Sequence, residues 1–456
     1  EIDTRDWSSD VCSSDLILEA MNVMESSIHT IACNNLLILF AVVTMTGIIC
    51  SKLSDILKVP DVVLFLIAGI FIGPSVLKFI DISQYQVENQ LILTFGSAFI
   101  LYMGGKEISL KVLKNVKVSV LLLSSVGVLI SAFLMQQVIG LSFGTSAMVA
   151  LLAGSIIAST DPATLVPIFN QIKIDRRVSQ TVISESAFND ATGAILTSAV
   201  LAIMLSGKFS LEENLYQLVI MIIIGLVVGL LTGVILLALV NDSPRGIFKD
   251  YTPIISIISV IIAYELSTAL GGSGYMSCFI VGIVTGNKQN FKLWLSQKSY
   301  DADCNVVETL GTICRMCIFI ILGSQVDLQV VGKYFVPSII SVLCFMFIVR
   351  PICVLACTLV DRQAKWKKNE ILFMMWVRET GVIPAALCGI VTSMNIPGKE
   401  VISSVVFMTI LITLIIQGAS TKFVAKKLNL LIEDNKVASE RSEERRVGKE
   451  CRSRWS

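Results

Sequence analysis

The sequence predicts an all-α membrane protein, and three observations predict it. Of 456 residues, 54% are hydrophobic and only 16% are charged, against roughly 25% charged in an ordinary soluble domain. The apolar residues gather in runs near the length of about 20 that a helix needs to cross a bilayer. The basic residues concentrate in alternate gaps between those runs. This balance excludes an ordinary soluble enzyme. It also excludes a disordered chain, which needs low hydrophobicity and high charge, and a nucleic-acid binder, which needs a basic surface. The net charge of +1 carries no information about partners; the placement of the charges does.

Residues 1–17, EIDTRDWSSDVCSSDLI, and 440–456, ERSEERRVGKECRSRWS, are polar, charge-dense and aperiodic. Both resemble translated sequencing-adaptor fragments and are set aside as non-native segments. The predicted transmembrane domain is 33–430. Its cysteines lie mostly within apolar runs without the paired CxxC spacing of a zinc site, which reads as small buried hydrophobes.

Taken in order, thirteen segments are long and apolar enough to be spans: 33–51, 60–77, 90–104, 116–138, 145–169, 181–206, 215–240, 253–270, 273–286, 306–323, 335–359, 371–393 and 401–421. The third and ninth are short. Glycine and proline inside several of them are tolerable, because neighbouring helices re-satisfy the backbone. Thirteen spans sort the loops to two sides. One side holds Lys52 and Lys58, then Lys106, Lys111, Lys114 and Lys117, then Lys173, Arg176 and Arg177. Further along it holds Arg245 and Lys249, Lys288, Lys292 and Lys298, Arg362, Lys365, Lys367 and Lys368, and finally Lys422, Lys426, Lys427 and Lys436. The other holds only Lys78, Lys208, Lys333 and Lys399. Positive charge stays inside, so the amino terminus is expected outside and the carboxyl terminus in the cytoplasm of a cell-membrane protein.

Three basic residues remain inside spans, Arg315, Arg350 and Arg378, with five acids, Asp161, Glu185, Asp190, Glu265 and Glu379. A charge at mid-bilayer costs about 2.5–3.5 kcal/mol on insertion scales, so such residues pair, face a cavity or work. Glu265 lies near the end of its span and Glu379 beside Arg378, which reads as structural. The one histidine, His29, precedes the first span, so carboxylates must carry any protons that cross. A carboxylate in a half-dry cavity binds either a proton or a small cation, and that competition couples the two.

The fifth span reads IIASTDPATLVPIF. Pro162 removes a backbone donor and pushes the residue before it out of the helical region, so a break is expected near Thr160–Asp161. The sixth reads TVISESAFNDATGAIL. Glu185 and Asn189 share one face, and Ser186 and Asp190 share the next. Oxygens from Asp190, Ser186, Asp161 and Thr160 suit a small hard cation. The twelfth reads FMMWVRETGVIPAALCGI, where Gly381 and Pro384 are expected to interrupt it. Two interrupted spans seven apart, with one span left as a linker, fit two inverted six-helix repeats whose discontinuous helices cross at an ion site.

The segments STDPATLVPIF and ESAFND resemble the monovalent cation:proton antiporters, specifically NhaP-type sodium/proton exchangers. Supporting segments are VPDVVLFLIAGIFIGP, GGSGYMSCFIVGIVTGN, RMCIFIILG, VRPICV and RETGVIPAAL. The resemblance covers roughly residues 33 to 430 and implies a thirteen-span homodimer in which a core domain moves against a dimerisation domain. It implies that Asp190 is the ion-binding aspartate, that Asp161 and Thr160 are the broken-helix ligands with Na⁺ held at Asp190 and Asp161, and that Ser186 is a further donor. It implies that Glu185, counted with the ion- and proton-binding residues, is tied together with Asn189 to Arg350, and that Arg378 matches the arginine of the family's PRG segment, although this chain reads VRET where a GPRG-like run is usual. Asparagine at 189 resembles the electroneutral branch, one proton per cation. The expected activity is therefore exchange of Na⁺ or Li⁺ for H⁺ by alternating access, with no cofactor, no catalytic residue of the enzymatic kind and no nucleic-acid partner. The alternatives are K⁺/H⁺ exchange on the same scaffold and, less favoured, a gated cation channel.

Overall fold

The computed structural model describes residues 36–431 except 55, 58–60, 80–84, 161–168, 170–173, 207–210, 242–246, 289–296 and 395. The two adaptor-like segments and His29 lie outside them. Each of the thirteen predicted segments contains helix. In chain order the helices are α1 (Leu36–Ser54), α2 (Asp61–Ile72), α3 (Gln86–Glu107), α4 (Leu110–Ser124), α5 (Val126–Phe143) and α6 (Ala147–Ile157). They continue with α7 (Arg176–Ser206), α8 (Leu211–Val240), α9 (Thr252–Ala269), α10 (Gly274–Gly286), α11 (Gln297–Ser324) and α12 (Leu328–Lys333). The last are α13 (Phe335–Cys344), α14 (Arg350–Val360), α15 (Lys368–Trp376), α16 (Val382–Ser393), α17 (Lys399–Thr413) and α18 (Ala419–Lys427). Among the described residues, eight stretches are long and apolar enough to cross a membrane by length and composition, α4 and α5 counting as one and α13 with α14 as another.

The helices sort into two sets by what they touch. In the first, α2 packs on α11, α3 on α10 and α11, and α8 and α9 on α10; α1 joins it where Gly47 meets Met316 and Cys50 faces Leu64. In the second, α5 packs on α6, α4 on α7 and α14, α6 on α7 and α17, and α16 and α13 on α17. The second set thus combines three consecutive spans from the first half of the chain with three from the second, and the first combines three with three plus α8, the seventh span, the interleaving expected of two repeats with one span as a linker.

Glycines set the spacing of the first set. A Cβ on Gly69 would sit 2.2 Å from the Ile320 carbonyl, and one on Gly323 2.2 Å from that of Leu66. The α3–α10 pair repeats this: a Cβ on Gly105 would sit 2.2 Å from the Phe279 carbonyl, and one on Gly282 2.1 Å from that of Tyr102. Only glycine allows backbones this close, and lipid offers no hydrophobic force to replace the contact. Exchanging the two halves of the chain turns the second-with-tenth span pair into ninth-with-third, so these two reciprocal contacts are equivalent positions of the repeat.

Three ion pairs among the described residues also lie within sets. Lys106 donates to Asp303 and Arg315 lies 3.6 Å from Asp61 in the first; Arg350 pairs with Glu185 in the second. At the end predicted to be cytoplasmic, Ser119 donates to Asp361, Trp366 donates to Ser119 (2.8 Å), and Arg177 stacks on Trp366, 4.1 Å from the ring centre. The seam between the sets is mainly apolar: Phe188 meets Phe279 edge-on at 4.8 Å and Leu93 lies against Gly389, with a hydrogen bond from Thr392 to Gln325 (3.2 Å).

A candidate ion site at two interrupted helices

The first interruption comes slightly before the predicted one. Helix α6 stops at Ile157, with Ala158 as its cap, and Ser159 and Thr160 are no longer helical. Asp161 and Pro162 lie outside the described residues, so the expectation for both stays an expectation. Thr160 is buried against α7: its N–H donates to Asn189 Oδ1 (3.0 Å), Asn189 Nδ2 donates to its hydroxyl (2.9 Å), and that hydroxyl shares a hydrogen bond with Ser186 (2.7 Å). Gly193 on α7 faces Ser159, where a Cβ would meet the serine at 2.9 Å. The end of the broken helix is therefore seated on α7 beside Asp190, which is 2% exposed.

The second interruption spans Val377–Gly381, between α15 and α16. Val377 is extended (φ −82°, ψ 100°) and Gly381 has φ −141°, ψ −129°. Pro384 follows in the first turn of α16, where a missing N–H costs nothing because that donor has no helical partner. It thus marks the restart of the helix while Gly381 occupies the gap.

Sequence reasoning did not single out the groups that hold the gap open. Thr413 Oγ1 accepts from the Thr380 N–H (3.2 Å), and Gln417 Nε2 donates to the Trp376 carbonyl (2.7 Å). Gln417 lies in a widened π turn, Leu414–Gly418, between α17 and α18. A second π turn, Phe345–Val349, precedes Arg350; Pro351 follows at once, and its ring would clash with the Phe347 carbonyl of a regular helix. Such turns gather at functional positions. The signals available were a lone glutamine in an apolar run and an arginine–proline pair inside a span.

The two intramembrane arginines do different jobs. Arg350 is 3% exposed and grips Glu185 with both terminal nitrogens (2.5 and 3.0 Å), while its Nε donates to the Met374 carbonyl (3.0 Å). A bidentate pair of this kind is strong and directional. Arg378 donates to the Ala158 carbonyl and to the Ser131 hydroxyl (3.3 Å), and its guanidinium lies 4.3 Å from the centre of the Phe345 ring. The Ala158 carbonyl belongs to the last turn of α6, the negative end of that helix. Arg378 therefore ties the second broken span to the first. Glu379 next to it is fully buried. Arg315 lies elsewhere, in the first set, and Glu265 sits one turn before the end of α9.

This constellation matches a sequence profile described as "Sodium/hydrogen exchanger, transmembrane" over residues 39–427. The chain belongs to the sodium/hydrogen exchanger family. It is a membrane ion antiporter of that family and not an enzyme. Relatives include Na(+)/H(+) antiporter 1 of Methanocaldococcus jannaschii, 29% identical over 412 residues that cover 84% of this chain and 93% of the relative. They also include a K(+)/H(+) antiporter, NhaP2, of Shewanella oneidensis, 25% identical over 401 residues covering 86% and 67%. The solved structure of the sodium proton antiporter MjNhaP1 from Methanocaldococcus jannaschii at pH 8 superposes with a TM-score of 0.74 at 26% identity, covering 85% of this exchanger and 97% of that chain.

A cavity of about 740 Å³ opens between the two sets at the end predicted to face outside, lined by Asn89, Gln325, Asp327, Thr392 and Glu400 among others. None of Thr160, Ser186, Asn189 or Asp190 lines it.

Proposed function

We propose that this exchanger moves Na⁺ or Li⁺ against H⁺ by alternating access, with Asp190 taking the cation or the proton but never both. The observation that carries the reading is the seating of the broken end of α6, through Thr160, on Ser186 and Asn189 beside the buried carboxylate of Asp190. Oxygen donors of this kind suit a hard monovalent cation, and an interrupted helix frees backbone carbonyls at membrane depth. Asp161, one residue beyond Thr160, is the proposed second anionic ligand. Glu185 serves as the fixed counter-charge of Arg350. The apolar seam allows one set to slide on the other, and the outer cavity is the vestibule that such movement would connect to the site.

The experiment is a pH gradient across proteoliposomes, dissipated by adding Na⁺ or Li⁺. Asp190→Asn that still dissipated the gradient would contradict the reading. K⁺ is the second reading, favoured by the NhaP2 relatives; Na⁺, Li⁺ and K⁺ compared in the same vesicles separate the two. The rest of the proposal is a homodimer in the cell membrane with the amino terminus outside. The asymmetric lysines and arginines support the orientation, and cross-linking in intact membranes reports the dimer.

A further inference from the structure

The outer cavity carries polar side chains that the crossing does not use. Its floor lies on the seam between the two helix sets. Gly389 on α16 faces Leu93 on α3 and the side chain of Gln325 just past α11: a Cβ there would sit 2.7 Å from Leu93 and 3.5 Å from Gln325 Oε1. Asn89 lies one turn before Leu93 on the same face of α3 and lines the cavity with Gln325 and Thr392. It is 4% exposed, and among the described residues its Oδ1 is shielded from solvent and has no hydrogen-bond partner. A buried acceptor left unsatisfied is costly and rare. Gln325 Oε1 accepts from the Thr392 hydroxyl across the seam (3.2 Å) and keeps a second lone pair. Asp327 and Glu400 line the cavity with Lys399, an excess of one negative charge among its described lining residues.

We infer that this floor is an outer cation station, where Asn89 Oδ1, Gln325 Oε1 and the Thr392 hydroxyl take a monovalent cation before it reaches Asp190. The inference rests on the exchange reading above. Amide and hydroxyl oxygens are hard ligands that suit such an ion. They are also neutral, so the ion is held loosely enough to leave again, as transit requires. The cavity, about 740 Å³, is far larger than a bare ion and leaves room for part of its hydration shell, at about 30 Å³ per water. The terminal torsion of asparagine is broad, so the Asn89 amide turns its oxygen toward the cation at little cost. The acids at the cavity raise the local cation concentration. Asn89 and Gln325 belong to the first helix set and Thr392 to the second, so a cation here is held by both sets and is released when they slide.

The test is cation affinity measured separately at the two faces, as Na⁺-driven proton flux in right-side-out and everted membrane vesicles, or K⁺-driven flux if the wild type moves only K⁺. Asn89→Leu keeps the size of the side chain and removes the unpartnered oxygen. It is expected to raise the cation KM about tenfold at the outer face, the loss of one contact to a charged group, and to leave the KM at the cytoplasmic face and the melting temperature unchanged. An unchanged KM at the outer face, or an equal rise at both faces, overturns the proposal. Asn89→Asp gives a result that a packing defect cannot imitate: the added charge is expected to lower the KM at the outer face, and a raised or unchanged value there overturns the assignment. This variant decides if Asn89→Leu cannot be purified. A wild type with no cation-dependent proton flux at either face contradicts the exchange reading instead, so the two failures are distinct.

Discussion

In the first helix set, Gly69 with Gly323 and Gly105 with Gly282 bring helix backbones into contact along unbroken helices. In the second set, α6 stops at Ile157 and α15 at Trp376; there Thr160 bonds Ser186 and Asn189, and Arg378 reaches the Ala158 carbonyl. One set gains rigidity from missing side chains; the other gains chemistry from a missing backbone. An interrupted helix exposes polar backbone that needs partners, and those partners, the two arginines, Thr413 and Gln417, are packed around it. The difference teaches a division of labour: a frame closed by glycine contacts, and a block whose broken helices surround Asp190 and the Glu185–Arg350 pair.

The largest way to break the comparison is to unpair the block. Glu185→Gln leaves Arg350 as an uncompensated buried charge, and breaking a buried pair costs about 3–5 kcal/mol. Low yield and a lowered melting temperature in detergent are expected. The double variant Glu185→Leu with Arg350→Met is expected to recover much of the yield, since apolar replacement of a buried pair is often neutral. Recovery without transport would separate folding from function.

The next test attacks the frame. Gly282→Val drives a side chain into the Tyr102 carbonyl, and overpacking costs about 1–3 kcal/mol. Lower thermal stability is expected, with the cation preference of the surviving protein unchanged. Altered preference would mean that the frame shapes the site.

A smaller effect concerns the held-open gap. Thr413→Val removes the acceptor for the Thr380 N–H, leaving a buried donor unsatisfied at about 1–3 kcal/mol. A raised apparent KM for the cation is expected, larger than any loss of melting temperature in the frame.

The smallest expected effect lies at the membrane edge. Burial pushes the Lys288 ammonium down to about 8, from 10.5, where it lies 3.5 Å from the centre of the Tyr300 ring. The folded state then holds fewer protons than the unfolded chain between these values, so stability rises with pH across that window. Lys288→Met should flatten the rise in melting temperature between those pH values.

Much of the block was legible in the sequence because intramembrane charge is scarce. Glu185 and Arg350, 165 positions apart, form the pair that the resemblance implies, and Thr160, Ser186 and Asn189 converge as the motif spacing requires. What escaped was set by backbone detail. The end of α6 at Ile157 precedes the proline expected to cause it. Pro384 serves the restart of α16, while the gap opens at Val377. The π turn before Arg350 and the one containing Gln417 leave no periodic trace. The glycine contacts of the frame were hidden for a different reason: glycine is common in membrane helices, and only the partner helix shows which ones touch.

The most direct measurement is proton release when Na⁺ is added to the purified protein in weakly buffered detergent solution. If one buried carboxylate takes either ion, wild type releases protons in proportion to bound cation, and Asp190→Asn loses both cation binding and the release that accompanies it. Cation binding without proton release in the wild type, or undiminished binding and release in Asp190→Asn, would contradict the assignment of Asp190 as the shared site.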